Sequence, residues 1–252
     1  MTLSLFPVNA AADDTVYKLQ VIDGKAKILN PPANPDSLYS WSGDSNSGNL
    51  ILSSGYKFSL IIDQNLDLIV NGGTIADAHF SAKVGKIQNN SIISGGDFTG
   101  LLILDNDGTI SGGTNFGSSS TIMISNKGTI TNGDFGNRAQ IHNSGTVSGG
   151  TFEGTFTNDA YGTIEGSPVF NRTSETHSNI IEVVNNGTIN GGTFHYIVGN
   201  YGNVLGGTYE CSFTNCETGT IAGSSVEIKG DRYSFDNRGT VNGGTFSTGM
   251  TF

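Results

Sequence analysis

The sequence predicts an all-β fold, a single-stranded parallel β-solenoid of about ten coils with three short strands to a coil and a β cap at its N-terminal end. Three observations predict it. The pattern N-x-G-T-[IV]-x-G-G-T-F returns in close variants from about residue 66 to residue 252. In nine successive units an asparagine stands two residues after a large apolar residue. Glycine supplies 37 of 252 residues and charged residues only 13%, roughly twice and half the usual shares, while 14 Phe and 8 Tyr recur at regular places that a disordered chain would not keep.

The repeat is justified column by column. Its branched aliphatic position is filled by Val70, Ile93, Ile110, Ile130, Val147, Ile164, Ile189, Val204, Ile221 and Val241, at steps of 15 to 25 residues. Five residues on comes a second apolar column of Ile75, Phe98, Phe135, Phe152, Phe194, Tyr209, Val226 and Phe246, with Phe116 and Phe170 displaced by one. The third column runs from Ile87 through Leu104 to Phe235, each residue two before one of Asn89, Asn106, Asn126, Asn143, Asn158, Asn185, Asn200, Asn215 and Asn237.

Alternate residues of a strand share a face, so each asparagine follows its apolar neighbour inward. A buried amide must be paired. Identical amides stacked at the strand spacing of about 4.8 Å can bond one to the next, so every coil requires another beside it. Gly-Gly and Asn-x-Gly mark the corners, where positive φ is often needed. Ten such turns make a rod about 48 Å long.

Asparagine and aromatic ladders inside glycine-turned coils resemble the right-handed parallel β-helix of the pectin-lyase-like superfamily, and the "GTI-GGTF" units look like those of bacterial secreted and surface proteins. The resemblance covers about residues 50–252. It implies a right-handed coil and hosts lyases, hydrolases, adhesins and rods alike. The superfamily's lyase and polygalacturonase motifs do not occur in the solenoid.

At the N-terminal end, "VYKLQVIDGKAKIL" (16–29) reads as two strands around Asp23-Gly24, a hairpin signal, and residues 16–65 are expected to cap the open edge of residues 66–252. Trp41 and Tyr39 are expected to cover the end of the aromatic column, with a sugar-stacking platform as the other reading. Residues 1–15 look like the back half of a secretory signal ending in "NAAA", so export or surface display is expected. Cys211 and Cys216 are separated by a strand's length, about 3.3 Å × 5, and are expected to be free thiols. "VNGGTFSTGMTF" begins a further coil in which Met250 takes the third apolar place and Phe252 that of the asparagine, as a plug or as an end that pairs with another chain.

Net charge of −10 and a pI near 4.6 argue against nucleic-acid or anionic-membrane partners, and no apolar run is long enough to span a bilayer. No cofactor and no metal site is expected. Coil length varies mainly between the aromatic and the pre-asparagine residue, with long stretches at 76–86, 171–182 and 227–234. This edge gathers His79, Lys83, Lys86, Arg138, Arg172, Glu175, His177, Lys229, Asp231 and Arg232, either a groove for a polar or anionic glycan or solvated loop charge. The one candidate catalytic pair is Asp97 and Asp134, two coils apart and so about 9.6 Å, near the limit of an inverting glycosidase; turn-favouring aspartates are the better account of them. The expected function is a non-enzymatic, adhesin-like or glycan-binding module, with a polysaccharide lyase or hydrolase, or a purely structural rod, as alternatives.

Overall fold

The computed structural model describes residues 15–32, 38–80, 84–117, 121–171, 183–195, 197–229 and 234–247. Met250, Phe252 and the signal-like residues 1–14 lie outside them. Within them are 28 strands, β1 to β28 in chain order, and no helix. The strands form two long sheets of 16 and 12 strands, called A and B, that the chain visits alternately through about ten parallel turns. The aliphatic and aromatic positions both lie in sheet A. In some coils they sit on two separate strands, as in β13 (Thr129–Ile130) and β14 (Asp134–Phe135), and in others on one bulged strand such as β21 (Thr188–Phe194).

Three columns of side chains fill the space between the sheets. The aliphatic column runs from Ile75 to Ile221 and is fully buried. The aromatic column stacks Phe98, Phe116, Phe135, Phe152, Phe170, Phe194 and Tyr209 at centroid spacings of 4.5–5.0 Å, with ring planes within 19° of parallel. Phe116 and Phe170 join this stack although each coil carries an extra residue. β-bulges between Ile110 and Gly113 and between Gly166 and Val169 absorb it, as an unpaired residue bends one strand without shifting the next pair.

The asparagine column is a continuous amide ladder. From Asn89 to Asn215, each Nδ2 donates to the Oδ1 of the asparagine in the next coil at 2.6–2.8 Å, ending on Asn237. The same nitrogens also donate to corner carbonyls, as Asn158 does to Gly162 at 3.0 Å and Thr188 at 3.3 Å. Burial therefore leaves no ladder amide between Asn89 and Asn215 without partners, the condition on which polar groups are tolerated inside.

The first coils correct the column assignment. Val70 pairs with Asn89, so it occupies the asparagine position, and Ile75 pairs with Ile93 in the aliphatic column. Phe80 then stands beside Phe98 at 5.2 Å, starting the aromatic column. Near the other end Ile228, not Val226, pairs with Tyr209. In the first coils the ladder position is apolar and offers no asparagine to align on, which displaces the reading by five residues; at Ile228 a register shift in β25 (Thr220–Ile228) displaces it by two.

The two glycine corners serve different needs. At the Gly-Gly corner the chain turns through positive φ, as at Gly150 (φ 102°), where a side chain is strained. At the Asn-x-Gly corner the backbone is ordinary and space is the constraint. A Cβ on Gly128 would stand 2.0 Å from the carbonyl oxygen of Gly108 in the preceding coil.

The N-terminal end is antiparallel. β1 (Val16–Ile22) and β2 (Lys25–Ile28) form the expected hairpin, turned by Asp23 and Gly24 with φ of 49° and 75°, the two positive values that a tight I′ turn needs. β1 also pairs in parallel with β5 (Lys57–Ile62), while β3 (Tyr39–Gly43) pairs antiparallel with β4 (Gly48–Leu52), itself parallel to β6 (Asp67–Val70). Tyr39 and Trp41 are half-buried and donate to the Ala26 and Gly24 carbonyls at 2.9 and 3.1 Å, tying the two hairpins together.

Both cysteines are free. Cys211 is buried, and burial pushes its thiol far above the usual range; Cys216 is half-exposed beside the Tyr201 hydroxyl. Brief alkylation of the native protein should therefore label Cys216 and spare Cys211 until denaturant is added. Peptide mass spectrometry checks this, and early labelling of Cys211 would show that its coil opens.

Candidate functional site

The charged edge expected from the loops is only partly within the described residues. Lys83, Arg172, Glu175, His177, Asp231 and Arg232 lie outside them. The structure places His79 within the strand β7 (Thr74–Phe80), between Ile61 and Asp97 on the outer face of sheet A. Lys86 lies on β8 (Val84–Asn89) and faces out from sheet B. Most of 76–86 is therefore strand, and these two residues stand on different sheets. The five-residue displacement at Val70 is the reason.

Lys86 is matched by Asp105 at 2.6 Å, a hydrogen bond and charge that raise the ammonium pKa. Arg138 immediately precedes β15 (Ala139–Asn143) and is exposed. Lys229 follows β25 (Thr220–Ile228) and lies 3.0 Å from Glu210 and 3.7 Å from Glu227, while Glu210 is 3.5 Å from His195. His195, Glu210 and Lys229 each stand one residue past the aromatic column in successive coils, a row in which the carboxylate lies between an imidazole and an ammonium. The hydrogen bond and charge of Lys229 hold the Glu210 carboxyl below its usual range. Such exposed pairs organise a surface more than they stabilise it.

Asp97 and Asp134 flank Asn115 in adjacent rungs of sheet A. The Asp97 carboxylate accepts the Thr99 backbone N–H at 3.1 Å, the turn-closing role of an aspartate. Near this pair the Glu153 carboxyl is pushed up, first by burial and then by the charge of Asp134.

A concavity lies elsewhere, beside the β3–β4 hairpin. A cleft of about 580 Å³ is lined by Ser42, Asp44, Ser47, Asn49, Asn65 and Asp67, with glycines 43, 48 and 85 forming part of its wall. Its rim is preorganised. Asp44 Oδ1 accepts the backbone N–H groups of Asn46 and Ser47 at 2.8 and 3.1 Å, and these two bonds hold the carboxyl below its usual range. The buried Gln64 locks this turn to the N-terminal hairpin: its Nε2 donates to the Asp44 carbonyl at 2.9 Å and its Oε1 accepts the Gly24 N–H at 2.6 Å. The Trp41 ring lies over the Gly43–Gly48 pair so closely that a Cβ on Gly48 would stand 2.1 Å from it. A Cβ on Gly85 would stand 2.9 Å from the Asp67 carboxylate.

The cleft thus offers oxygen-rich and amide side chains on a rigid, glycine-thinned wall. Nothing in the repeat pattern marks it, because it is built from non-repeating residues. The signal present in the sequence is the "SGDSNSGN" stretch after Trp41, dense in small polar residues between two strands. Among the described residues, no group of three or more His, Cys, Asp or Glu could hold a metal ion, and no helix is long and apolar enough to cross a membrane. Fold and cleft together define a class, a parallel β-solenoid rod with a polar depression near its N-terminal end. Comparison with family models, curated proteins and solved structures yields no match.

Proposed function

We propose that the protein is a non-enzymatic binding module of the right-handed, pectin-lyase-like kind, exported or displayed on a bacterial surface, that holds a polysaccharide in the cleft beside the β3–β4 hairpin. The observation that carries the reading is the preorganised polar rim at Asp44–Asn49 facing Asn65 and Asp67. A carboxylate fixed in advance, as that of Asp44 is, accepts from sugar hydroxyls at a reduced ordering cost, and the amides beside it supply donors. The two backbone donors on Asp44 keep it ionised, which suits an acceptor and not a proton donor. Export rests on the signal-like residues 1–15.

A glycan array probed with the full chain, including neutral and acidic polysaccharides, tests the reading. Replacing Asn49 and Asp67 with Ala should weaken any binding at least tenfold, the effect of one or two lost hydrogen bonds to a charged or amide group, about 1.5–3 kcal/mol for a charged one. Unchanged binding in that variant, or loss on replacing Arg138 and Lys229 with Ser instead, removes the cleft and returns the site to the loop edge.

A hydrolase reading is favoured by one observation, the raised Glu153 carboxyl beside Asp134. Release of new reducing ends from bound polysaccharide, lost on replacing Glu153 with Gln, would establish that alternative in place of simple binding.

A further inference from the structure

The cleft beside the β3–β4 hairpin does not stand alone on its face of the rod. It opens on the outer face of sheet B, where the outward residues of successive coils stand in two rows fixed by register. One row runs Asn49, Asp67, Lys86, Ile103, Met123 and Gln140, from β4 through β6, β8, β10 (Leu101–Asn106) and β12 (Ile122–Asn126) to β15. The other, two residues further along each strand, runs Ile51, Ile69, Gln88, Asp105, Ser125 and His142. The cleft takes in the first two members of the first row. A second depression, of about 220 Å³, lies between the last three members of both rows.

The two depressions lie in line along the rod. From β4 to β15 is five rung spacings, about 24 Å at about 4.8 Å each. Between them Lys86 meets Asp105 at 2.6 Å, from one row to the other, so the ground that joins them carries no net charge. In the second depression Met123 is 51% exposed, with the Gln140 amide, the Ser125 hydroxyl and the His142 imidazole around it. An apolar body ringed by hydrogen-bonding groups matches a ligand that carries both carbon–hydrogen faces and hydroxyls, as a sugar ring does. A peptide strand is a poorer match: β4 to β15 are hydrogen-bonded to neighbours on both sides, which leaves this face no strand edge for an added peptide to pair with. An acidic polymer is poorer still, since at the cleft it meets the carboxylates of Asp44 and Asp67.

The geometry points to a neutral, unbranched polysaccharide that lies lengthwise on the rod, one stretch of it in the cleft and the next on Met123 over the outer face of sheet B. This rests on the cleft being a polysaccharide site, as proposed above. It adds the direction of the chain, a second subsite and a class of sugar polymer. A chain that reaches both depressions binds the second at the high effective concentration that the first provides. Affinity therefore depends on ligand length, and the residues of the second depression matter only to ligands long enough to reach it.

Affinity electrophoresis of the full chain through gels holding mixed-linkage β-glucan, glucomannan, pullulan or polygalacturonate tests this, followed by calorimetry with sized fragments of the polymer that retards it. The expected result is retardation by at least one neutral polymer and none by polygalacturonate. Fragments that span both depressions, about 24 Å, should bind at least tenfold more tightly than fragments half as long. Met123→Ser should abolish that gain and leave the short fragments unaffected. Met123 faces outward, so the far-UV spectrum should not change; Gln140→Ala serves as the second variant if M123S alters that spectrum. Equal affinity for short and long fragments, or a gain indifferent to the folded variant, overturns the lengthwise path, while loss of short-fragment binding on replacing Asn49 and Asp67 would still uphold the cleft. Binding that depends on Met123 but not on Asn49 and Asp67 overturns the cleft reading and this one with it. Retardation by polygalacturonate, or by none of the polymers, overturns the ligand class.

Discussion

Asn158→Leu is expected to destabilise the protein by about 3–4 kcal/mol, with the urea midpoint shifted accordingly. The replacement keeps the branching and the number of side-chain heavy atoms and adds apolar surface, so nothing is lost by cavity formation. The cost comes from the neighbours. Asn143 loses the oxygen to which it donates at 2.8 Å, Asn185 loses the donor that reaches it at 2.8 Å, and the Gly162 and Thr188 carbonyls lose the same amide. An orphaned buried group costs about 1–3 kcal/mol; the Asn185 oxygen loses its ladder donor, and the Asn143 nitrogen keeps only its longer bonds to the Gly145 and Thr163 carbonyls. Against a typical stability of about 5–15 kcal/mol the loss is severe. Asn237→Leu is the internal control: it removes one bond at an exposed rung and should cost under about 1 kcal/mol. Equal shifts for the two variants would mean that the ladder does not support the interior as described.

Phe152→Ala is expected to cost about 3–5 kcal/mol, the range of a buried Phe truncation. Phe152 lies in the middle of the stack, 4.8 Å from Phe135 and 5.0 Å from Phe170, with Phe156 edge-on at 5.4 Å. The backbones of successive coils are fixed by their hydrogen bonds, so the void cannot close by sliding, and two stacked pairs worth about 0.5–1.5 kcal/mol each are lost with it. Phe246→Ala removes a ring that is only half-buried at the last rung and should cost less than half as much by thermal or chemical unfolding. A Phe152→Ala variant as stable as the Phe246 variant would show that the stack accommodates gaps.

The contrast between these positions also explains what is legible in the sequence. The ladder can be read because an asparagine at a fixed offset from an apolar residue has one physical use when it repeats in every unit, and all nine asparagines do line up in register. The aromatic stack can be read almost as well, and the bulges that bring Phe116 and Phe170 into line follow only from the backbone. The first coils cannot be read by the same rule. Leu52 and Val70 stand where the asparagine should be, so the pattern is sought one column too early and His79 is placed in a loop instead of a strand. The twofold role of glycine is likewise invisible in the letters. Gly150 is required for its φ and Gly128 for the carbonyl it passes, and both read simply as corners. The cleft is hidden for a different reason: repetition draws attention to itself, and the cleft is made by the hairpin that does not repeat.

One consequence of the stacked arrangement is mechanical. Backbone hydrogen bonds between coils and the amide bonds of the ladder all run along the rod's length, from one coil to the next. Tension applied along that axis is carried in series, so each interface between coils bears the full load and the weakest parts first. Among the described rungs, that of β26 (Phe235–Asn237), β27 (Thr240–Val241) and β28 (Thr245–Phe246) is held by strands of two and three residues, while the first coils are clasped by four- to seven-residue strands. A force directed across the rod is shared in parallel by every bond of the strands it shears. The same molecule therefore resists a force from the side better than one along its length.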